Sequence, residues 1–269
     1  MNNDFILDGF TWSFSKLDTY ITCPKMFKDT YIDGTIKEES NAFAEFGTFG
    51  HKILEKYYRG EFEIYELGEI YEKHYNKAVI SKFPRNPYTD LNTTYYEAGK
   101  IYFDNFSGEF DKFTVLGVEE QFETEIEGYK FTGIIDLILQ DPVTNDITVV
   151  DHKSMSKKSK KVMQYKYHQL YIYAKYIHDK FGEYPSNLIF NLYRILLIDE
   201  HKFDYEKYQE TCEWCKSTIE TIYKDNEFES RPSKYWCENI CSVRNLCADI
   251  SWDDIKATYA NYRKFNIEE

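Results

Sequence analysis

Apolar residues along this chain change their spacing several times, and each change marks an element. The run FTGIIDLIL, residues 131–139, is dense in β-branched side chains and predicts a strand. DPVTND follows with the Pro, Asn and Asp of a reversing loop, and ITVV then predicts a second short strand. Upstream, FTVLGVEEQFETEIEGYKFTG predicts a hairpin with its turn near Glu127 and Gly128, feeding the strand that holds Asp136. Downstream the spacing turns helical from Lys161 to Asp179. Tyr165, Gln169 and Tyr173 lie at intervals of four there and share a face. NLIFNLYRILLI, residues 187–198, predicts one long sheet strand. Tyr205, Tyr208, Cys212, Cys215, Ile219 and Ile222 then mark a regular helix stripe.

The first hundred residues read as helical. In residues 11–31, Ser15 and Asp18 predict a capping box, and Leu17, Tyr20 and Ile21 give a short apolar face. Pro24 interrupts it, which predicts two short helices with Cys23 at the joint. FAEFGTFGHKILEKYY places Gly47 and Gly50 ahead of a helical pattern in which His51 and Glu55 share a face. Residues 60–112 predict two or three aromatic-rich helices around the loop FPRNPYTD. The tail RPSKYWCENICSVRNLC precedes a last helix expected from Trp252. No repeat or low-complexity linker divides the chain. The expectation is one continuous domain over 1–269: a helical part to about 112, a core over 113–200, and C-terminal helices and a cysteine tail beyond.

Composition changes this picture little. The chain is 42% hydrophobic and 29% charged, as a soluble globular protein is, with 25 Tyr and 20 Phe that imply a core of packed rings. No apolar run approaches a membrane span, and MNNDFILDGF lacks the basic and apolar regions of a secretory signal, so a cytoplasmic location is expected. A net charge of −13 argues against a protein that coats nucleic acid, though not against local grip on a strand. The one dense basic run, Lys157, Lys158, Lys160 and Lys161, begins four residues after Lys153. It reads either as a solvated loop or as a phosphate contact.

The candidate chemistry gathers at the two central strands. Side chains alternate on a strand, so Asp151 and Lys153 face one side. Asp136 shares its face with Ile134 and Ile138, where a carboxylate is costly unless paired or bound to a cation. A hairpin that sets Asp136 beside Asp151 offers two hard oxygen ligands and an ammonium, a set suited to a divalent metal acting on a phosphodiester. Solvated charges at a hairpin end are the plain alternative. On spacing alone His51 reads first as a buried histidine satisfied by a backbone carbonyl, and Gln169 as either a structural tie or a member of a site.

Six cysteines without a signal peptide point away from disulfides. Cys212 and Cys215 fall on an apolar helix stripe and read as core. Cys237, Cys241 and Cys247 sit in a polar stretch behind Pro232 where packing does not account for them, and Cys23 is the remaining thiol. Four thiolates suit a [4Fe–4S] cluster or a structural zinc.

Together these pieces resemble the PD-(D/E)XK nuclease superfamily, and within it the RecB-like exonucleases, such as the CRISPR-associated ones and AddB-type nuclease domains. SKLDTYITCPKMFKDTY resembles the opening helix with its Cys-Pro, and FGTFGHKILE the helix that supplies a metal-binding histidine. GIIDLI resembles the strand with the first acidic ligand, VVDHKS the (D/E)-x-K strand, and QLYIY the Gln-x-x-x-Tyr helix. The resemblance implies an α/β fold, a mixed sheet flanked by helices in the order αβββαβ. It implies a Mg²⁺- or Mn²⁺-dependent deoxyribonuclease acting on DNA, single-stranded or with free ends. His51, Asp136, Asp151 and the His152 carbonyl would hold the metal, Lys153 would serve catalysis, and Gln169 and Tyr173 would position the strand. Cys23, Cys237, Cys241 and Cys247 would hold a [4Fe–4S] cluster. An endonuclease or flap nuclease on the same site, and a non-catalytic DNA-binding adaptor, are the other readings. Two features depart from the family: three residues intervene between Cys237 and Cys241 where two are usual, and residues 60–112 match nothing in it.

Overall fold

Five strands pair in chain order into one sheet: β1 (Thr114–Ile126), β2 (Tyr129–Gln140), β3 (Ile147–His152), β4 (Asn187–Leu192) and β5 (Leu197–Lys202). The computed structural model describes residues 4–34, 40–155, 159–243 and Cys247. The chain divides into two compact units. A central unit comprises Thr11–Phe14 and Ala42–Lys216, and a terminal unit comprises Met1–Phe10, Ser15–Asn41 and Ser217–Glu269.

In the central unit, β1 and β2 form the expected hairpin. Its two turn residues, Glu127 and Gly128, both adopt left-handed backbone, φ 51° and 81°, the conformation that matches strand twist in a two-residue loop. β2 and β3 are antiparallel around the 141–146 loop, where the Asp141 carboxylate accepts the amides of Val143 and Thr144. β3 and β4 are parallel, which demands a crossover, and α7 (Lys160–Phe181) supplies it. That order gives a mixed sheet flanked by helices, as the resemblance implied. All six residues of β3 are buried, so its apolar run shows no alternation.

The long strand expected over 187–198 is instead two. A 3-10 turn at Tyr193–Ile195 and left-handed Leu196, φ 53°, reverse the chain so that β5 pairs antiparallel with β4. No Gly, Pro or Asn marks that reversal in Tyr193–Leu196, so the pattern of apolar residues runs straight through it.

Helix α4 (Ala42–Tyr58) packs with α5 (Leu67–Ala78) and α6 (Leu91–Asp104) around a core rich in rings, including Phe46, Tyr71, Tyr75, Tyr102 and Phe103. The aromatic helices expected in 60–112 are therefore present. Their job in packing is to back α4.

The terminal unit holds α1 (Asp4–Leu7), all but the first residue of α2 (Phe14–Thr22), α3 (Pro24–Phe27), a π-helical turn at Lys28–Ile32, the last turns of α8 (Tyr205–Lys224), and α9 (Lys234–Asn239). Because α2 begins at Phe14, Ser15 lies inside the helix, and the capping box expected at Ser15 and Asp18 does not form. Cys23 stands at the joint between α2 and α3, extended at φ −159° as the residue before a proline must be. Along α8, Tyr208, Cys212, Cys215, Ile219 and Ile222 are buried and Tyr205 is exposed. No described helix is long and apolar enough to cross a membrane. The helix expected from Trp252 lies outside the described residues.

Candidate active site

The β2–β3 ladder pairs Leu137 with Val150, so the next step outward sets Asp136 against Asp151. The two strands lock there, because the His152 amide donates to Asp136 Oδ2 at 2.6 Å. Asp136 sits where its strand face changes character, between exposed Ile134 and fully buried Ile138. Asp151 is 1% exposed, and the Lys153 ammonium lies 2.7 Å from its Oδ2, on the side that strand alternation requires.

Helix α4 brings His51 to this point, with Nδ1 3.5 Å from Asp136 Oδ2. The two glycines ahead of it explain the close approach. A Cβ at Gly50 would stand 2.5 Å from the Tyr193 hydroxyl, and one at Gly47 would stand 3.2 Å from Ser154 Oγ. Any larger residue at 50 would push α4, and His51 with it, off the sheet.

Glu119 completes the cluster, and the sequence reading missed it. Counting back from the Glu127–Gly128 turn, the β1–β2 register passes Val118↔Leu137 and Glu120↔Ile135, which leaves Glu119 opposite Asp136. Glu119 holds a left-handed backbone, φ 49°, costly for a residue with a Cβ, as do the turn residues Glu127 and Leu196. One ligand atom from each of His51, Glu119 and Asp136 lies within 4.8 Å of the others, a spacing that fits a divalent ion with oxygen and imidazole ligands.

The protons of the cluster are linked. Burial pushes the Glu119 carboxyl up to about 7, and the Asp136 charge adds to it. Asp136 is held down at about 2: burial opposes ionisation, but His51, His152 and Lys153 outweigh it. Burial works against His51 protonation, yet the hydrogen bond and charge of Asp136 leave its pKa raised. Burial also keeps the Asp151 carboxyl above its usual range, against the pull of Lys153.

The His152 ring is a different kind of group. It is buried, its pKa falls to about 4, its Nδ1 lies 3.0 Å from the Asn191 amide nitrogen, and it stacks on Tyr58. The ring is core, and only the backbone of His152 belongs to the site.

On α7, Gln169 donates to the Tyr173 hydroxyl at 2.6 Å, and that hydroxyl donates to Asp151 Oδ1 at 3.3 Å. Gln169 and Tyr173 thus reach Asp151 in series, with Tyr173 itself buried. Lys160 and Lys161 are exposed on the first turn of the same helix. Lys157 and Lys158 lie outside the described residues.

A family model described as the PD-(D/E)XK nuclease superfamily matches residues 11–248, a span that includes every one of these residues. The chain belongs to that superfamily. In this PD-(D/E)XK nuclease Asp151, His152 and Lys153 have the spacing of a (D/E)-x-K element, while Ile135 stands in the position before Asp136. Among solved structures it is similar to a protein of Eubacterium rectale proposed to be an exonuclease. The two share 12% identity over 93% of this chain and 91% of the other at a TM-score of 0.53, a likeness of fold. A second structure, SSO0001, aligns at 17% identity over 91% of this chain and 95% of that one, with a TM-score of only 0.33. No curated protein matches the chain. Superfamily membership makes this a hydrolytic nuclease of a class that uses divalent metals.

The terminal unit of this nuclease holds a second constellation. None of Cys23, Cys237, Cys241 and Cys247 is joined in a disulfide. Burial pushes Cys241 up to about 11, and Cys237, Cys247 and Cys23 are near enough to add to it electrostatically. Cys247 in turn is raised by burial and by Cys23 and Cys237, while Lys25 pulls it down. Trp236 Nε1 and Thr30 Oγ1, in the same unit, are buried with no hydrogen-bond partner among the described residues. A sulfur-rich group with acceptor atoms suits such a setting. Cys212 and Cys215 are core residues of α8, as their stripe predicted.

Proposed function

We propose that the chain is a metal-dependent exonuclease that hydrolyses DNA strands from free ends. The observation that carries this reading is the convergence of His51, Glu119 and Asp136 beside the Asp151–Lys153 pair. His51, Asp136, Glu119 and Asp151, with the His152 carbonyl, are the groups that would hold Mg²⁺ or Mn²⁺. Such an ion lowers the pKa of bound water and polarises the phosphate. Lys153, resting against Asp151, is placed to orient the attacking water and offset charge on the phosphoryl oxygens. Tyr173, steadied by Gln169, fixes the rotamer of Asp151. Lys160 and Lys161, with Lys157 and Lys158, supply backbone grip that reads no sequence.

The four thiols of the terminal unit are assigned to a [4Fe–4S] cluster. Their mutual electrostatic reach, from segments at both ends of the chain, supports one shared site. Its role is structural, since the ligands lie in the unit that lacks the carboxylates.

Digestion of end-labelled linear and circular single strands with Mg²⁺ or Mn²⁺ tests the reading. Linear strands should shorten and circles survive, and EDTA should stop the reaction. Cleaved circles would make the enzyme an endonuclease, and no metal-dependent release from any strand would overturn the nuclease reading.

A further inference from the structure

Arg194 is a cation that the fold holds rigidly and leaves without an anion among the described residues. It sits in the 3-10 turn after β4, half-buried. Three features fix it. Its Nε donates to the Ser154 carbonyl at 3.0 Å, its guanidinium carbon lies 4.1 Å from the centre of the Tyr95 ring, and its backbone follows fully buried Tyr193. No carboxylate among the described residues pairs with it. Neither terminal nitrogen has an acceptor among them, and Nη2 is closed off from solvent. In a chain of net charge −13, with acidic partners abundant, a guanidinium left uncompensated is informative.

Its position says which anion. Ser154 directly follows Lys153, and its hydroxyl lies where a Cβ at Gly47 of α4, one turn before His51, would come within 3.2 Å of it. Tyr193, its neighbour, packs edge-on against the His51 ring. Arg194 therefore stands at the junction of the two elements that deliver the metal-binding groups. Tyr95 belongs to α6, within the aromatic 60–112 segment.

We propose that Arg194 is a phosphate clamp: through Nη1, the terminal nitrogen that is not closed off, it takes a non-bridging oxygen of a substrate phosphodiester next to the one being cleaved. The α5–α6 helices supply its platform through Tyr95. This rests on the nuclease reading above. A planar guanidinium suits a tetrahedral oxyanion better than an ammonium does, and stacking on Tyr95 removes the rotamer freedom that binding would otherwise cost. Arg194 is a binding and positioning residue, with no part in proton transfer.

The test uses the full chain, a fluorescein-labelled single-stranded DNA 20-mer, and a set of the same strand with one phosphate at a time replaced by a neutral methylphosphonate. Binding is measured with Ca²⁺ and cleavage with Mg²⁺. Arg194→Gln should raise Kd and KM by about ten- to a hundred-fold, the loss of one charge-assisted hydrogen bond, with kcat changed far less. Its log Kd against log salt slope should fall by about 0.7, the value for one phosphate on a single strand. One methylphosphonate position should weaken the wild type and leave Arg194→Gln unaffected. Arg194→Lys should recover the salt slope but only part of the affinity, and Tyr95→Leu should weaken binding while the melting temperature reports whether the fold survives. A folded Arg194→Gln that keeps the wild-type slope and its sensitivity at every position would overturn the clamp while leaving the nuclease intact. A wild type that neither binds nor cleaves any strand would overturn both.

Discussion

Asp136, Glu119 and His51 hold their protons against one another, and that linkage can be measured. Glu119 keeps its proton to about 7 when folded because it is buried beside Asp136. Its contribution to the stability of the metal-free protein is thus complete below the ordinary carboxylate range and lost as pH rises through about 7. Asp136, held near 2, stabilises at neutral pH and loses that contribution only on strong acidification. Metal-free wild type should accordingly melt lower at pH 8 than at pH 5, and Glu119→Gln should flatten that fall. Over the same window Mn²⁺ should bind more tightly as pH rises, releasing protons in calorimetry, because Glu119 and His51 must give theirs up to become ligands. A wild-type affinity independent of pH between about 5.5 and 7.5 would remove Glu119 from the ligand set. Asp151→Ala and Lys153→Ala should each cost about two to three orders of magnitude in cleavage rate with the fold retained. Asp136, Asp151 and Lys153 were legible in the sequence because a carboxylate on an apolar strand face is conspicuous. Glu119 was legible only in principle. The turn at Glu127 and Gly128 sets the register that puts it opposite Asp136, but a glutamate in VEEQFETE looks like any solvated strand residue.

At the scale of elements, two stretches of helix α7 carry proposed roles. One stripe carries Gln169 and Tyr173 to Asp151, and Tyr173→Phe should lower kcat by about ten- to a hundred-fold, the range for a hydrogen bond to a charged group, without a matching change in KM. The other role belongs to its exposed first turn. Replacing Lys160 and Lys161 there, together with Lys157 and Lys158 ahead of them in sequence, by Gln should flatten the salt dependence of single-strand binding for strands of any sequence. The log–log slope should fall by up to about 0.7 for each phosphate that a lysine no longer neutralises. An unchanged slope would reduce the run to a solvated loop. The elements themselves were mostly readable from spacing: the β1–β2 hairpin, the 141–146 loop, α7 and, apart from exposed Tyr205, the α8 stripe stand where the periodicity set them. What spacing could not carry was the reversal at Leu196. A left-handed leucine is imposed by the pairing of β5 with β4, and the local residues do not announce it.

The whole molecule is built so that its sheet is continuous in sequence and its cysteine unit is not. If that unit holds a [4Fe–4S] cluster, protein prepared without oxygen should be brown and contain about four irons per chain. Cys23→Ala should lose colour and thermal stability together, whereas Cys212→Ala should keep the colour; zinc in place of iron would redefine the site. The same division bears on synthesis at the ribosome. Every strand of the sheet pairs with its neighbour in the chain, so the central unit can assemble as its residues emerge. The terminal unit cannot: α2 and Cys23 are made early, but their partners from Ser217 onward come only after the entire sheet has been translated. Cys23 therefore waits for Cys237, Cys241 and Cys247 for the time needed to make some two hundred residues, on the order of ten to forty seconds at ordinary elongation rates. A nascent chain arrested before Cys237 should already resist protease across the sheet while remaining colourless, and a cluster held by the four proposed thiols would enter only after the whole sheet has been made.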